Sequence, residues 1–70
     1  MHWNHRIMKR TDIYGCPYYT IHEVYYGKDN QPDTWTEQPV YPVGNTIEEL
    51  RDDLERMLEA FAKPPVDYPE

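Results

Sequence analysis

The side chains of this chain that could do chemistry are three histidines and one cysteine. His2 and His5 lie three positions apart, which suits two metal ligands on a helix but puts them on opposite faces of a strand. No CxxC or HxxxH spacing accompanies them, or His22 and Cys16. We therefore expect no metal site and no cofactor.

Cys16 and His22 are the one pair that could supply a nucleophile and a base. Cysteine catalysis also needs a third group that orients the base, and donors that stabilise an oxyanion. The sequence marks neither of these, and Cys16 lies beside Pro17 in a predicted turn. We therefore expect that the protein is not an enzyme.

Glu23 is the acid whose position matters most, because it lies in the middle of a predicted strand. It shares a strand face with Ile21 and Tyr25. If that face is the core, Glu23 is buried and needs a partner, and Arg6 or His5 on the neighbouring strand could provide one. If the face is open, Glu23 is an ordinary solvated acid.

Three strands are predicted to position these residues, over about 3–11, 18–26 and 33–38. The second is the strongest, because it is rich in β-branched and aromatic residues. Gly15 and Pro17 mark the first connection, and turn-forming residues at 27–32 mark the second. Val66 and Asp67 can form a short edge strand or a frayed end.

One helix is predicted over about 46–63. Thr46 can cap its first turn, and Glu49 can reach back to the Thr46 N–H to complete a capping box. Pro64 and Pro65 end the helix. We expect its apolar stripe to pack on a core; the stripe comprises Ile47, Leu50, Leu54, Met57, Leu58 and Phe61.

The predicted fold is α+β: a single small domain over 1–70, in which a three-stranded antiparallel sheet packs on one C-terminal amphipathic helix in β-β-β-α order. One helix covers only one face of a sheet. The second strand nevertheless carries apolar residues on both faces, with tyrosines on each. This predicts that a second copy or another protein covers the open face, because tyrosine is enriched at interfaces, and we expect a homodimer.

Charge and composition exclude several classes of protein. The net charge is −6 and is unevenly placed, since residues 1–11 carry three bases and no acid and the rest of the chain carries −9. General nucleic-acid binding is not expected, because phosphate contacts need clustered bases, and a basic protein partner is favoured. A single cysteine and the lack of an apolar leader indicate a cytoplasmic protein. No apolar run approaches the length of a membrane span, so no membrane association is expected.

The β-β-β-α order, followed by the run Gly44-Asn45-Thr46-Ile47-Glu48-Glu49-Leu50 before an amphipathic helix, resembles the N-terminal domain of HicB-like antitoxins. Members of that family often enter their helix through a similar Gly-x-Thr-x-Glu-Glu run. The chain also looks like short bacterial and phage proteins of this size. The resemblance implies a non-catalytic binding module that can dimerise.

Two functions follow from these patterns. The first is an antitoxin-like or inhibitor-like module that binds another protein through an aromatic sheet face. The second is a phage-type anti-defence protein whose acidic helix mimics nucleic acid. Pro39-Val40-Tyr41-Pro42 is interpreted as a stiff connector. The predicted partner-binding residues are Tyr18, Tyr26, Trp35, Glu55 and Glu59.

Overall fold

The computed structural model describes residues 2–69 and has an α+β architecture. A mixed four-stranded sheet has the order β3-β2-β1-β4, in which β1 pairs antiparallel with β2, β2 antiparallel with β3, and β1 parallel with β4. The elements are β1 (His2–Thr11), β2 (Pro17–Tyr26), β3 (Pro32–Trp35), α1 (Ile47–Leu58), a 3-10 turn (Glu59–Ala62) and β4 (Val66–Asp67).

The long hairpin of β1 and β2 is the frame of the sheet. Its register runs without a shift from His2 opposite Tyr26 to Thr11 opposite Pro17. Asp12 closes the connection by accepting hydrogen bonds from the backbone N–H groups of the turn. The first two strands therefore lie where composition and turn chemistry predict them.

The sheet differs from the predicted three antiparallel strands in two ways. β3 ends at Trp35 instead of continuing to about residue 38, and beyond it the chain is held to β2 by separate backbone bonds, from Thr36 to Glu23 and from Val40 to Ile21. β4 adds an edge strand beside Met8 and Lys9, and it runs parallel to β1. The short strand foreseen at Val66 and Asp67 is thus formed, and it makes the sheet mixed.

The even-numbered side chains of β1 and β2 form the first sheet face, which we call the tail face. Its buried cluster consists of Met8, Val24 and Tyr26, and the residues packed against it are Trp35, Val66 and Tyr68. The chain thus covers this face with its own C-terminal segment. Val24 and Tyr26 are therefore covered within one molecule, whereas Tyr18 on the same side of β2 is exposed.

The connection into α1 is fixed by side chains of the helix itself. Thr46 is the N-cap, and its hydroxyl accepts a hydrogen bond from the Glu49 N–H at 3.1 Å. The Glu49 carboxylate accepts from the Asn45 N–H at 2.9 Å, so the predicted return bond to Thr46 is made one residue earlier. The Asp53 carboxylate accepts from the Val43 N–H at 2.9 Å.

The close approach of this connection to the helix explains why residue 44 is a glycine. A Cβ atom at Gly44 would lie 2.4 Å from the backbone nitrogen of Leu50, closer than real Cβ atoms come to other atoms. Glycine is therefore required for the connection to fold back along the first turn. The capping residues predicted from the sequence are correct for Thr46 and shifted by one residue for Glu49.

The prediction that the apolar stripe of α1 faces a core is wrong for most of its residues. Met57 is buried at 4% exposure, whereas Leu54 is 48% exposed, and Ile47, Leu50, Leu58 and Phe61 are exposed too. The helix is rolled so that Met57, with Ala60 in the following turn, points to the sheet. The bonds from Asp53 and Glu49 to residues 43–45 hold this roll, which leaves the leucines to one side.

Thr46→Ala is expected to lower the free energy of unfolding by about 1 kcal/mol, because the Glu49 N–H loses its acceptor. Thr46→Ser keeps an acceptor hydroxyl and is expected to change the stability much less. Urea unfolding of the three proteins measures both effects. Equal midpoints for the alanine and serine variants would show that the cap contributes no stability.

The roll of the helix predicts different costs for two large apolar side chains. Met8→Ala is expected to cost about 2–5 kcal/mol, because Met8 is fully buried. Leu54→Ala is expected to cost about 1 kcal/mol or less, because half of its surface already meets water. Equal losses in urea unfolding would mean that Leu54 lies in a core.

Candidate protein interface

The histidines and the cysteine do not form a catalytic or metal-binding cluster among residues 2–69. The ring of His2 stacks on Tyr26 on the tail face, whereas His5 lies on the opposite face, with the Trp3 ring edge-on at 5.3 Å. This is the separation expected for a spacing of three on a strand. In the described part of the chain, no group of three or more His, Cys, Asp or Glu residues could hold a metal ion.

His22 is fully buried, and both of its ring nitrogens are engaged. Nδ1 lies 2.9 Å from the Thr36 carbonyl oxygen, which can only accept, so Nδ1 carries the hydrogen. Nε2 lies 2.8 Å from the Thr20 hydroxyl and accepts from it. Cys16 is exposed in the turn before β2. His22 is therefore arranged as a structural residue with no nitrogen free to activate the thiol.

The environment of His22 holds its ring neutral. Burial lowers the pKa of His22 below its ordinary value, and the charge of Arg10 lowers it further. The hydrogen bond to Thr36 opposes this shift in pKa but does not cancel it. Protonation of His22 is thus linked to unfolding, because the unfolded chain binds the proton more readily.

Arg6 ties together three parts of the fold on the tail face. Its guanidinium donates to the Tyr26 hydroxyl at 2.8 Å and to the Pro64 carbonyl at 2.7 Å. The Tyr26 hydroxyl in turn donates to the Asn4 side chain. A planar donor fork suits such a multiple role. The network joins the hairpin to the chain that returns after α1.

The contact that Glu23 makes in the structure differs from both pairings predicted from the sequence, which were with Arg6 and with His5. Arg6 lies on the other face of the sheet, and the Glu23 carboxylate accepts a hydrogen bond of 2.6 Å from the Tyr25 hydroxyl. This bond raises the pKa of Tyr25. Glu23 is half-buried, so its environment lies between the buried and solvated alternatives.

The predicted partner-binding residues are not brought together. Tyr26 is 5% exposed and bonded to Arg6, and Trp35 packs on the buried cluster of the tail face, so both support the fold. Tyr18 is exposed near the guanidinium of Arg10. Glu55 and Glu59 are exposed on α1 and in the turn after it.

A different feature is the best candidate for a binding surface: an open groove on the helix-covered side of the sheet. Its volume is about 660 Å³. Its floor comes from β1 and β2, one wall from α1 and the 3-10 turn, and the other wall from residues 39–42. Apolar and aromatic residues dominate the lining, which includes Ile7, Tyr19, Ile21, Val40, Tyr41, Leu54 and Phe61.

The wall of residues 39–42 is held rigidly against the sheet. The Val40 N–H donates to the Ile21 carbonyl at 2.9 Å, and the Thr36 N–H donates to the Glu23 carbonyl. Pro39 and Pro42 fix their own backbone φ angles. The hydrogen bond of Val40 and the two prolines therefore restrain this segment. The segment places Tyr41 at the mouth of the groove.

The sequence did not reveal the groove because it depends on the roll of α1. A stripe with a helical period predicts a buried face, and only the tertiary bonds of Asp53 and Glu49 turn that stripe toward the opening. One feature of the sequence could have indicated this surface: Tyr41 lies between Pro39 and Pro42. A rigid exposed tyrosine is typical of a binding surface.

The acids of α1 divide into two groups. Glu49 and Asp53 bond to the connection, and the backbone bond from Val43, together with Arg56, lowers the pKa of Asp53. The others are exposed and recur every three or four residues, which aligns them on the side of the helix away from the sheet. This acidic row comprises Glu48, Asp52, Glu55 and Glu59.

The ion pair seen on α1 is neither Asp52–Arg56 nor Glu59–Lys63, the pairs that the sequence suggests at a spacing of four. Arg56 bonds to Asp53 at 3.2 Å, at a spacing of three. Asp53 already accepts from Val43, so this arrangement places Arg56 beside the connection. Asp52 and Glu59 remain in the exposed acidic row.

Comparison of the chain with protein-family models, with curated proteins and with solved structures gives no match. The resemblance to HicB-like antitoxins therefore stays a prediction. Within residues 2–69, no helix has the length and apolar character needed to cross a membrane.

The stability of the protein is expected to fall between about pH 7 and pH 5 because of His22. The folded state has the lower pKa, so the unfolded chain binds a proton first as the pH falls below about 6.5, and the free energy of unfolding decreases. Asp53 affects a separate pH range. Its lowered pKa stabilises the folded state, and this contribution is lost only as the pH falls below about 4. Urea unfolding at a series of pH values measures the slope.

His22→Gln is the matched control for this pH dependence, because its amide can donate to the Thr36 carbonyl but does not titrate. We expect the variant to show a flatter dependence between about pH 7 and pH 5, whatever its absolute stability. Equal slopes for the two proteins would contradict the assignment.

Proposed function

We propose that this protein is a non-catalytic protein-binding module, antitoxin-like or inhibitor-like, that holds an apolar segment of its partner in the groove between α1 and residues 39–42. The observation that carries the proposal is the open apolar groove with exposed aromatic side chains on three sides. Tyr19 lies at its floor, Tyr41 on one wall and Phe61 on the other.

The groove has the properties of a preformed binding site. Its backbone is fixed by the sheet, by the Val40 bond to Ile21 and by the cap of α1. A partner segment that enters it therefore orders little of this chain, which limits the entropic cost of binding. Aromatic residues on rigid backbone commonly supply most of the binding energy of a protein interface.

The charge of the chain favours a basic partner. The net charge is −6, and the acidic row on α1 lies outside the groove. These acids therefore attract a basic partner over a distance and do not anchor it. Such charges set the association rate and its salt dependence more than the lifetime of the complex.

The acidic row also supports the second candidate function, in which the protein mimics nucleic acid. Four exposed carboxylates follow one another along the helix, as phosphates do along a strand, with Arg51 beside them. Binding would then depend on the carboxylates and tolerate changes in the groove. The two candidates make opposite predictions for the same variants.

Tyr41→Lys is expected to weaken capture of the partner by about 30-fold or more, which corresponds to the 2 kcal/mol typical of an aromatic anchor. The test is affinity capture from a lysate of the source cells, followed by measurement of the affinity for the captured protein. Tyr14→Lys is the matched control. Tyr14 is 84% exposed in the β1–β2 turn, whereas Tyr41 is 76% exposed in the groove.

The groove is the binding site if Tyr41→Lys loses the partner and Tyr14→Lys keeps it. Replacing both Asp52 and Glu59 by lysine is then expected to slow association and to reduce its salt dependence, with little change in dissociation. If these charge reversals abolish binding while Tyr41→Lys leaves it unchanged, the mimic function replaces the module function.

A further inference from the structure

The folded chain exposes more surface than a monomeric protein of its size. Its accessible surface is 5433 Å² for a mass of 8.5 kDa. Folded monomers of that mass expose about 4,650 Å², so the excess is roughly 800 Å². A standard protein interface buries about 800 Å² on each partner. The excess therefore equals one chain's share of an interface.

Among residues 2–69, four of the twelve exposed large hydrophobic side chains lie on one flank of α1, which we call the α1 stripe. Its residues are spaced by three or four positions and all are exposed: Ile47, Leu50, Leu54 and Leu58. The stripe is about 18 Å long at 1.5 Å per residue. Only Leu54 also lines the groove. The stripe is thus a second apolar surface beside the groove.

We propose that a second copy of this chain covers the α1 stripe, with the two α1 helices packed antiparallel. The spacing of the stripe is self-complementary about Leu54, because Leu50 and Leu58 lie four residues to either side of it. A two-fold axis at Leu54 places Leu50 of one chain against Leu58 of the other, and the reverse. Such an isologous patch is what a closed dimer requires.

The charges of the helix select the antiparallel orientation. Its first turn carries Glu48 and Glu49, and its last turn carries Arg56. Parallel packing would place the two acidic first turns side by side with their helix dipoles aligned. Antiparallel packing opposes the two helix dipoles and moves the two acidic first turns to opposite ends of the pair.

Charged side chains along the exposed edge of the stripe are also complementary to those of a second copy. Arg51 and Glu55 are exposed and lie one turn apart on that edge. In the antiparallel pair, the two Glu55 carboxylates approach each other near the axis, and Arg51 of each chain approaches Glu55 of the other, so each Glu55 gains a guanidinium neighbour. In the monomer these groups meet only solvent or each other.

This dimer goes beyond the proposed function, and its surface adjoins the groove and shares Leu54 with it. It also relocates the self-association expected from the sequence. Tyr26 of the predicted strand interface is buried within one chain, and the tail face is covered by residues of the same chain. The exposed leucines of α1 remain as the surface that a second copy fits.

Sedimentation equilibrium at about 0.1 mM is expected to show a dimer, since interfaces of this size bind with micromolar or lower dissociation constants. Leu58→Lys is expected to raise the dissociation constant by at least about tenfold, because it places a charge in the interface. Leu58 is 56% exposed and does not line the groove, so the fold and groove are retained. Ile13→Lys, at a turn residue 91% exposed, is the matched control and is expected to remain dimeric.

Charge exchange tests the orientation independently of the leucines. Arg51→Glu and Glu55→Arg are each expected to weaken the homodimer, because each creates an edge of one sign facing its own copy. Mixed together, the two variants are expected to form a heterodimer, and the double variant R51E/E55R is expected to regain the homodimer. Circular dichroism confirms that each protein is folded.

A wild-type monomer at about 0.1 mM would overturn the proposal, as would a Leu58→Lys protein that dimerises as tightly as Ile13→Lys. Single charge variants that dimerise like the wild type would overturn it too. The groove is tested separately by Tyr41→Lys, because Tyr41 lines the groove and does not belong to the α1 stripe. A monomer that captures a partner through Tyr41 keeps the proposed function and removes the dimer.

Discussion

The orientation of α1 about its own axis is the constraint on which the functional surfaces of this protein depend. Met57 and Ala60 point to the sheet, and the carboxylates of Asp53 and Glu49 hold the connection at residues 43–45. These hydrogen bonds fix which side of α1 faces residues 43–45. The leucines of α1 consequently do not face the sheet. The groove and the α1 stripe are both consequences of this roll.

The interior of the protein is correspondingly small and relies on polar contacts. Arg6 joins the hairpin to Pro64, and the guanidinium carbon of Arg10 lies 4.0 Å from the centre of the Tyr68 ring. A domain of this size buries little apolar surface, so such contacts and the binding of partners matter more than in larger domains. A partner that binds only the folded state would therefore stabilise it noticeably.

The parts of the fold that local sequence determines were predictable. The composition of β2 and the turn at Gly15 predict the hairpin, and Thr46 predicts the start of α1. The binding surface was not predictable in the same way. A helical period shows that a helix has an apolar side, but contacts remote in sequence, such as Val43 with Asp53, decide where that side points. Tyr26 and Trp35 were chosen for residue type, and tertiary packing on Met8 makes them core residues.

The most direct test of this account is the solvent exposure of methyl groups along α1, measured by NMR with a soluble paramagnetic probe. Leu58→Lys is the suitable background, because it leaves the Leu54 side free of a second copy. The account predicts strong relaxation of the Leu54 methyl groups and protection of the Met57 methyl group. Protected Leu54 together with an exposed Met57 would mean that the apolar stripe faces the sheet, and neither the groove nor the α1 stripe would then exist as a surface.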